Sequence, residues 1–329
     1  MHAPPPPDDL ARRVRAAVDA GRLHGVGSGP LTPLGAGESY TAWRIGSGRR
    51  ARVLRVPRRA GREMPRSMAA EFEALRRVPP EIGTSAVSLE TGSDNPLGTP
   101  YMVTTHVPGR VLRAGDWSPG TATALAHRVA RLHAALAAGP APSAARVLSA
   151  GEQGEELLAW WGERHPDTLT DPRVASLLPA WRRELARLDP AFSGVRAHPL
   201  IHGDLVATNV ILGPDGVSRF IDFEWSGPGD VAKDLALIGG RVTGGPWYLP
   251  LTPDDVVAFV TEYSRYAQSV GLSPDSGADE PRRLLARRSA YELLDRLGNL
   301  LYCLSRSGEA CYGMWADELA RSMVTRLTD

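Results

Sequence analysis

The stretch HGDLVATNVILGPDGVSRFIDFEW, residues 202–225, decides how this chain is read. It follows an apolar pair, Leu200 and Ile201, and sets Asp204 and Asn209 on one loop. The run "VIL", a "GPDG" turn and "VSRFI" predict a short hairpin, with Asp222 at its far end. A hairpin returns its end to its start, so Asn209 and Asp222 are expected to be neighbours although the whole hairpin separates them in sequence. Two oxygen-bearing side chains at one hairpin mouth suit a hard divalent cation, and Mg²⁺ completes such a site with phosphate and water oxygens. Asp204, on the same loop, is placed to take a proton from a hydroxyl attacking that phosphate.

The order H-x-D-x-x-x-x-N followed by a metal-binding Asp is the phosphoryl-transfer layout of protein kinases. His202 is expected to support the loop through hydrogen bonds rather than to do chemistry. Asp230 and Asp234, in "GPGDVAKDLA", are expected to cap or brace the next helix and the loop.

Outward from this centre, the first hundred residues are rich in strand signals and the remainder is mostly helical. The predicted class is therefore α+β, with a β-rich N-terminal lobe and a larger helical C-terminal one, as in the two-lobed protein-kinase-like fold. The join falls near 104–108, dividing the chain into residues 1–106 for nucleotide binding and 107–329 for catalysis and substrate. Residues 1–8 read as a disordered, proline-rich lead-in. A helix with Met68, Phe72, Leu75 and Val78 on one face follows the early strands, and another places Leu125, Val129, Leu132 and Leu136 together. The segment "ARVLRVPRR" (51–59) reads as a buried strand through Val53, Leu54 and Val56. A kinase-like chain carries its phosphate-gripping lysine on such a strand; here the position falls to Arg55, and the whole chain has one lysine, Lys233.

Bulk composition excludes several classes. A net charge of +1 gives no reason to expect nucleic acid or an anionic membrane as partner. No apolar run approaches the roughly 20 residues that span a bilayer, and the N-terminus has no apolar signal core, which predicts a cytoplasmic protein. Cys303 and Cys311 are too few and wrongly spaced for a metal site or a disulfide framework.

"HGDLVATNV", "IDFEW" and "GDVAKDLA", with "EFEALRRV" and "ARLHAAL" upstream, resemble the aminoglycoside phosphotransferase family, which also includes macrolide, choline and other small-molecule kinases. The resemblance covers residues 30–240. The "HGD" opening, in place of His-Arg-Asp, favours a small-molecule kinase, and no activation loop fits between Asp222 and Asp234. The resemblance implies Asp204 as catalytic base, Asn209 and Asp222 as Mg²⁺ ligands, and ATP or GTP as phosphate donor. It implies that "LGAGESY" (34–40) lies over the phosphates, with the amides of Gly37, Glu38, Ser39 and Tyr40 near the β-phosphate. Thr105, His106 and Val107 would form the hinge that pairs with the base, and Glu71 would hold the basic side chain of the strand. Arg55 is read as that basic residue, because a guanidinium keeps its charge and forks across phosphate oxygens; the alternative leaves it in solvent beside Arg58 and Arg59.

The acceptor is less legible. Residues 151–171 carry six acidic side chains against one arginine, with Trp160 and Trp161 among them; they read either as an acidic wall for a cationic acceptor or as a solvated face over two core tryptophans. Glu292 and Asp295 are the candidates for lining an acceptor pocket, beside Tyr291 and Asn299. Three functions stay open: an O-phosphotransferase for an antibiotic or related natural product, a metabolic small-molecule kinase, and a nucleotide-binding module without activity.

Overall fold

The computed structural model describes residues 8–59, 64–137, 146–272, 277–278 and 280–328. The expected lead-in lies outside the described residues except for Asp8, which opens helix α1 (Asp8–Asp19). The chain forms two units, Met1–Arg110 with Ile211–Ser226, and Val111–Val210 with Gly227–Asp329. Residues 211–226 thus group with the N-terminal strands although they lie within 107–329.

The first unit is built on an antiparallel sheet of β1 (Leu31–Ala36), β2 (Tyr40–Ile45), β3 (Arg52–Pro57), β4 (Ala86–Glu90) and β5 (Tyr101–Thr105), in the order β1-β2-β3-β5-β4. Strand parity sorts its side chains. Trp43, Leu54 and Val103 are paired across neighbouring strands and enter one core with Val14, Ala17 and Val18 of α1. Arg55, one residue on from Leu54, belongs to the other face, level with Ala42 and Met102. That face receives α2 (Met68–Arg77), whose first turn is capped by the Ser67 hydroxyl accepting the Ala70 amide at 3.2 Å. α2 buries Glu71, Ala74 and Leu75. After the two-residue strand β6 (Arg110–Val111) the chain leaves this unit.

It returns in the expected hairpin of β8 (Val210–Leu212) and β9 (Ser218–Phe220), closed by the Gly213 amide on the Val217 carbonyl at 2.9 Å. Phe220 joins the hairpin to the first unit: its amide donates to Ile82 and its carbonyl accepts from Thr84, at 3.0 and 2.9 Å. Gly83 makes that approach possible, since a Cβ there would stand 2.5 Å from the Phe220 oxygen.

The second unit is helical. α3 (Pro119–Ala137) runs along α8 (Pro253–Ser269), and its predicted stripe of Leu125, Val129, Leu132 and Leu136 is fully buried. α4 (Ala150–Arg164), α5 (Pro166–Thr170), α6 (Pro172–Leu188), α7 (Val231–Leu237) and α10 (Ala310–Thr328) gather around α9 (Pro281–Ser305). α9 supplies Leu284, Leu293, Leu297, Leu300 and Leu301 to the core. Before the Asp204 loop, β7 (His198–Ile201) pairs antiparallel with β10 (Gly227–Gly229). A short parallel pair, β11 (Gly239–Gly240) with β12 (Leu249–Pro250), pinches the base of the loop 241–248. Among the described residues no helix is long and apolar enough to cross a membrane. Both cysteines are free, Cys303 buried and Cys311 half-buried.

Candidate active site

Arg55 does not point to solvent. It is 9% exposed, ion-paired to Glu71 and, at 2.7 Å, to Asp222 of the returning hairpin, and its guanidinium lies 4.0 Å over the Tyr40 ring. The Tyr40 hydroxyl donates to the other Glu71 oxygen at 2.8 Å, so both oxygens of this buried carboxylate are used. Burial works against the Arg55 charge, but Glu71 and Asp222 outweigh it and hold the guanidinium above its ordinary pKa. Asp222 has φ +66, the one left-handed non-glycine backbone among the described residues. Such strain is kept where the surroundings demand a particular aim of the side chain.

The 34–40 segment is a tight turn between β1 and β2. The Gly37 amide is spent on the Tyr40 carbonyl at 2.8 Å, and Arg58 donates to the Gly37 carbonyl. Glu38 is ion-paired to Arg59, and Ser39 is buried. Of the four residues read as a phosphate cradle, Glu38 and Ser39 form the tip. At the end of β5, the Thr105 amide donates to Ser85 at 3.0 Å, the Thr105 carbonyl accepts from the Thr84 hydroxyl at 2.8 Å, and the His106 amide donates to Ala51 at 3.3 Å. Burial, with Arg44 nearby, holds the His106 imidazole below its ordinary pKa.

In the second unit the Asp204 loop hangs from one buried carboxylate. Asp234 accepts the His202 amide at 2.8 Å on one oxygen and the Gly203 amide at 2.8 Å on the other. His133 of α3 adds its Nε2 at 2.9 Å, and the His133 Nδ1 meets the Tyr263 hydroxyl at 2.7 Å. Burial alone would raise Asp234; the His133 hydrogen bond and the charges of His133 and His202 overcome it and hold the carboxyl below its usual range. Gly203 has φ +81, which explains a glycine between His202 and Asp204. Asp230 caps α7 through the Ala232 amide at 3.0 Å and is ion-paired to buried Arg287 at 2.8 Å. On the loop itself, the Asn209 amide nitrogen donates to the Asp204 backbone carbonyl at 2.8 Å and to its carboxylate at 2.9 Å. That commits the nitrogen of Asn209 to Asp204 and turns its oxygen, an acceptor, to the other side of the amide.

The acidic candidates for the acceptor are engaged elsewhere. Glu292 is 2% exposed, ion-paired to Arg288 one turn before it, and accepts the Val242 amide at 2.8 Å. Asp295 accepts from Arg296 and from the Tyr248 hydroxyl, both at 2.7 Å. In 151–171, Glu152 pairs with Arg146, Glu155 with Arg182 and Asp171 with Arg173, while Trp161 is core and Trp160 lies under Arg164. The contacts fit the solvated-face reading of that stretch with one correction: Trp161 is core, but Trp160 is 46% exposed and is not the second core tryptophan expected.

Three features escaped the sequence reading. Glu224, two residues after Asp222, is pushed up to about 7 by burial and by the Asp222 charge. One of its oxygens is buried with no hydrogen-bond partner among the described residues, while the Ser39 hydroxyl serves the side chain. The second acid in "IDFEW" was the available signal. His133 and Tyr263, the far supports of Asp234, gave none, since they join the loop only through the fold. Nor did Trp247, whose carbonyl accepts the Ala207 amide of the Asp204 loop at 2.8 Å.

Among the described residues no three His, Cys, Asp or Glu side chains form a metal-binding group. The Asp222–Glu224 carboxylate pair with a buried orphan oxygen nevertheless fits a hard cation, whose charge would relieve their repulsion.

The model of the phosphotransferase enzyme family (APH) matches residues 30–272. Among solved structures, the GDP complex of aminoglycoside 2′-phosphotransferase-IIIa is similar at 16% identity and a TM-score of 0.62, covering 97% of this chain and 100% of that one. A choline/ethanolamine kinase family protein from Mesorhizobium loti gives 17% and 0.58, covering 97% and 95%. A thermostable mutant of aminoglycoside phosphotransferase APH(4)-Ia, in ternary complex with AMP-PNP and hygromycin B, gives 19% and 0.53, covering 89% and 94%. Identities this low establish a shared fold. No curated protein matches the chain by sequence.

Proposed function

The chain belongs to the phosphotransferase enzyme family (APH), and from that premise we propose that it moves the γ-phosphate of ATP or GTP to a hydroxyl of a small molecule, an antibiotic or related natural product. The observation that carries the reading is the Asp204–Asn209 pair: a half-buried carboxylate oriented by an amide whose oxygen is left to ligate. Asp204 takes the proton of the acceptor hydroxyl and aims its oxygen at the phosphorus. Asn209 and Asp222, with Glu224 as a further carboxylate, would hold Mg²⁺, which when bound neutralises charge on the phosphate oxygens. Arg55, steadied by Glu71 and Tyr40, provides the fixed positive charge toward the phosphates, and the Glu38 and Ser39 amides cover them. Base recognition falls to the His106 carbonyl and the Val107 amide, because the Thr105 amide and carbonyl are engaged within the sheet. Similar structures hold GDP in one case and AMP-PNP in another, so both nucleotides stay in the proposal. The cytoplasm supplies both nucleotides and Mg²⁺.

A metabolic small-molecule kinase is the second reading, favoured by the choline/ethanolamine kinase family neighbour and by the engagement of Glu292 and Asp295 in internal pairs. The decisive experiment is mass spectrometry of purified protein with Mg²⁺, ATP or GTP and a panel of antibiotics, sugars and amino alcohols, beside Asp204→Ala. One compound gaining a phosphate only with intact Asp204 establishes the reaction and its acceptor class. Nucleotide binding without any transfer across the panel supports the inactive module instead, and absence of nucleotide binding removes the roles given to Arg55 and the 34–40 turn.

A further inference from the structure

The segment GGRVTGGPWYLP, residues 239–250, contains four glycines and two prolines, a composition that builds neither a helix nor a long strand. Its base is closed by the Leu249 amide on the Ile238 carbonyl and the Leu251 amide on the Gly240 carbonyl, both at 3.0 Å. Residues 241–248 form a strap whose backbone groups are met by side chains of α9 and α10. Glu292 accepts the Val242 amide at 2.8 Å, and Arg296 Nε donates to the Val242 carbonyl at 3.1 Å. The Ser322 hydroxyl accepts the Thr243 amide at 3.0 Å and donates to the Arg241 carbonyl at 3.2 Å. Glu318 accepts the Gly245 amide at 3.1 Å, and Asp295 accepts the Tyr248 hydroxyl at 2.7 Å. Gly244 lets the strap close on α10, since a Cβ there would stand 2.6 Å from the Leu319 side chain.

What the strap reaches is the loop of Asp204. The Trp247 carbonyl accepts the amide of Ala207, first residue of the short 3₁₀ turn Ala207–Asn209, at 2.8 Å. Asp204 stands between two supports. On its N-terminal side the His202 and Gly203 amides hang from buried Asp234. On its C-terminal side Ala207 is tied to the strap, and beyond the turn the Val210 carbonyl accepts the Leu112 amide at 2.9 Å. The bonds from Asn209 to Asp204 lie within the loop, so they fix its shape and not its place. A loop freed at one support pivots about the other, and a catalytic group displaced by about 1 Å loses its aim. Tyr248 is within electrostatic reach of the carboxylate: burial and Asp295, with Asp204 adding, push its phenol well above the ordinary value.

Resting on the phosphotransferase reading for the reaction, we infer that Glu292, Ser322 and Tyr248 are positioning residues for Asp204: they hold the 241–248 strap, and the strap holds the Asp204 loop through Trp247 and Ala207. The test takes water as acceptor. A water oxygen bonds to the γ-phosphorus as the bridge to the β-phosphate breaks, Asp204 takes the proton, and phosphate release from Mg²⁺–ATP or Mg²⁺–GTP by the full chain reads the rate. Amide hydrogen exchange of the peptide 203–210 is followed beside it. Ala207→Pro removes the tied donor with little strain, because Val206 is extended at φ −73 and ψ 160 and proline fits the first position of a helical turn. Ala207→Pro, Tyr248→Phe and Ser322→Ala should each lower kcat about tenfold with the nucleotide KM within about twofold, and quicken exchange in 203–210. Ser322→Thr, which keeps the hydroxyl, restores both. On the Ala207→Pro background Tyr248→Phe adds less than about twofold, because both break one path. Full activity in Ala207→Pro, independent losses in the double variant, or a loss confined to the nucleotide KM overturns the inference. If circular dichroism shows Ala207→Pro unfolded, Ser322→Ala against Ser322→Thr decides by the same split between kcat and KM. A wild type that releases no phosphate breaks the phosphotransferase reading, and exchange then decides the strap: unchanged protection of 203–210 in Ser322→Ala overturns it.

Discussion

Among the buried charge clusters of the described residues, those around Asp234 and Arg55 have opposite balances. Around Asp234, one carboxylate is met by His133 and by the His202 and Gly203 amides, and both of its oxygens are engaged. Around Arg55, one guanidinium answers the three carboxylates of Glu71, Asp222 and Glu224, and Glu224 responds by holding its proton up to about 7. A saturated cluster has only geometry to offer: it fixes the loop that bears Asp204. An undersaturated one holds charge that the protein alone does not compensate, which is the condition for binding a cation or a cationic complex. The contrast teaches that positioning and binding can be told apart by counting donors against acceptors.

The largest effect expected is at the residue the saturated cluster positions. Asp204→Ala should lower kcat for phosphate transfer by about 10³-fold or more while changing stability by less than about 0.5 kcal/mol, because the side chain is half-exposed and supports no core. Steady-state kinetics beside a denaturant melt checks it; a large stability loss would mean that Asp204 belongs to the scaffold. Asp234→Ala leaves two amides and His133 without their acceptor, and should lose about 3 kcal/mol or more in urea unfolding as well as activity. If only activity falls, the cluster is not the structural anchor described.

The Arg55 cluster should break more selectively. Arg55→Ala strands a Glu71 that is 1% exposed and should lose about 3 kcal/mol. Arg55→Lys keeps the charge but cannot fork between Glu71 and Asp222, and should raise the nucleotide KM about tenfold with a smaller change in stability. Equal behaviour of the two variants would show that charge is not what the position supplies.

The smallest and most diagnostic effect is in pH. With a folded pKa of about 7 against an ordinary 4.5, Glu224 binds more proton in the native than in the unfolded state throughout that window. Its contribution is therefore full below the unfolded value and lost as pH rises through the folded one, so stability should fall from about pH 4.5 to about pH 7. Tm measured across this range should show the slope in the wild type and a flatter line in Glu224→Gln. Mg²⁺ alone should raise the wild-type Tm at pH 8, less so in the variant; no Mg²⁺ shift in either would remove the carboxylate pair from the metal site.

What was readable beforehand follows from distance along the chain. The hairpin, the Asp204–Asn209 loop and the strand parity that buries Leu54 are set by neighbours within a few residues, and each formed where spacing and turn chemistry put it. Asp234 was readable as a brace because it lies soon after the loop; His133, 101 residues before it, was not. The surroundings of Glu292 and Asp295 were less legible for a different reason. Helical spacing put Glu292 and Asp295 on one face but did not weigh the arginines beside them, although Arg288 stands one turn before Glu292 in plain sight. Acidic residues in an arginine-rich chain are as often counterions as ligands.

The absence of lysine from the Arg55 strand carries a practical consequence. Nucleotide reagents that acylate or sulfonylate the phosphate-binding amine of kinases would meet a guanidinium there, held protonated above its already high pKa and without a nucleophilic lone pair. The one lysine, Lys233, stands on α7 within the helical unit. Amine-directed probes should therefore leave this strand unlabelled, and a proteome surveyed with them would count this protein among the silent ones.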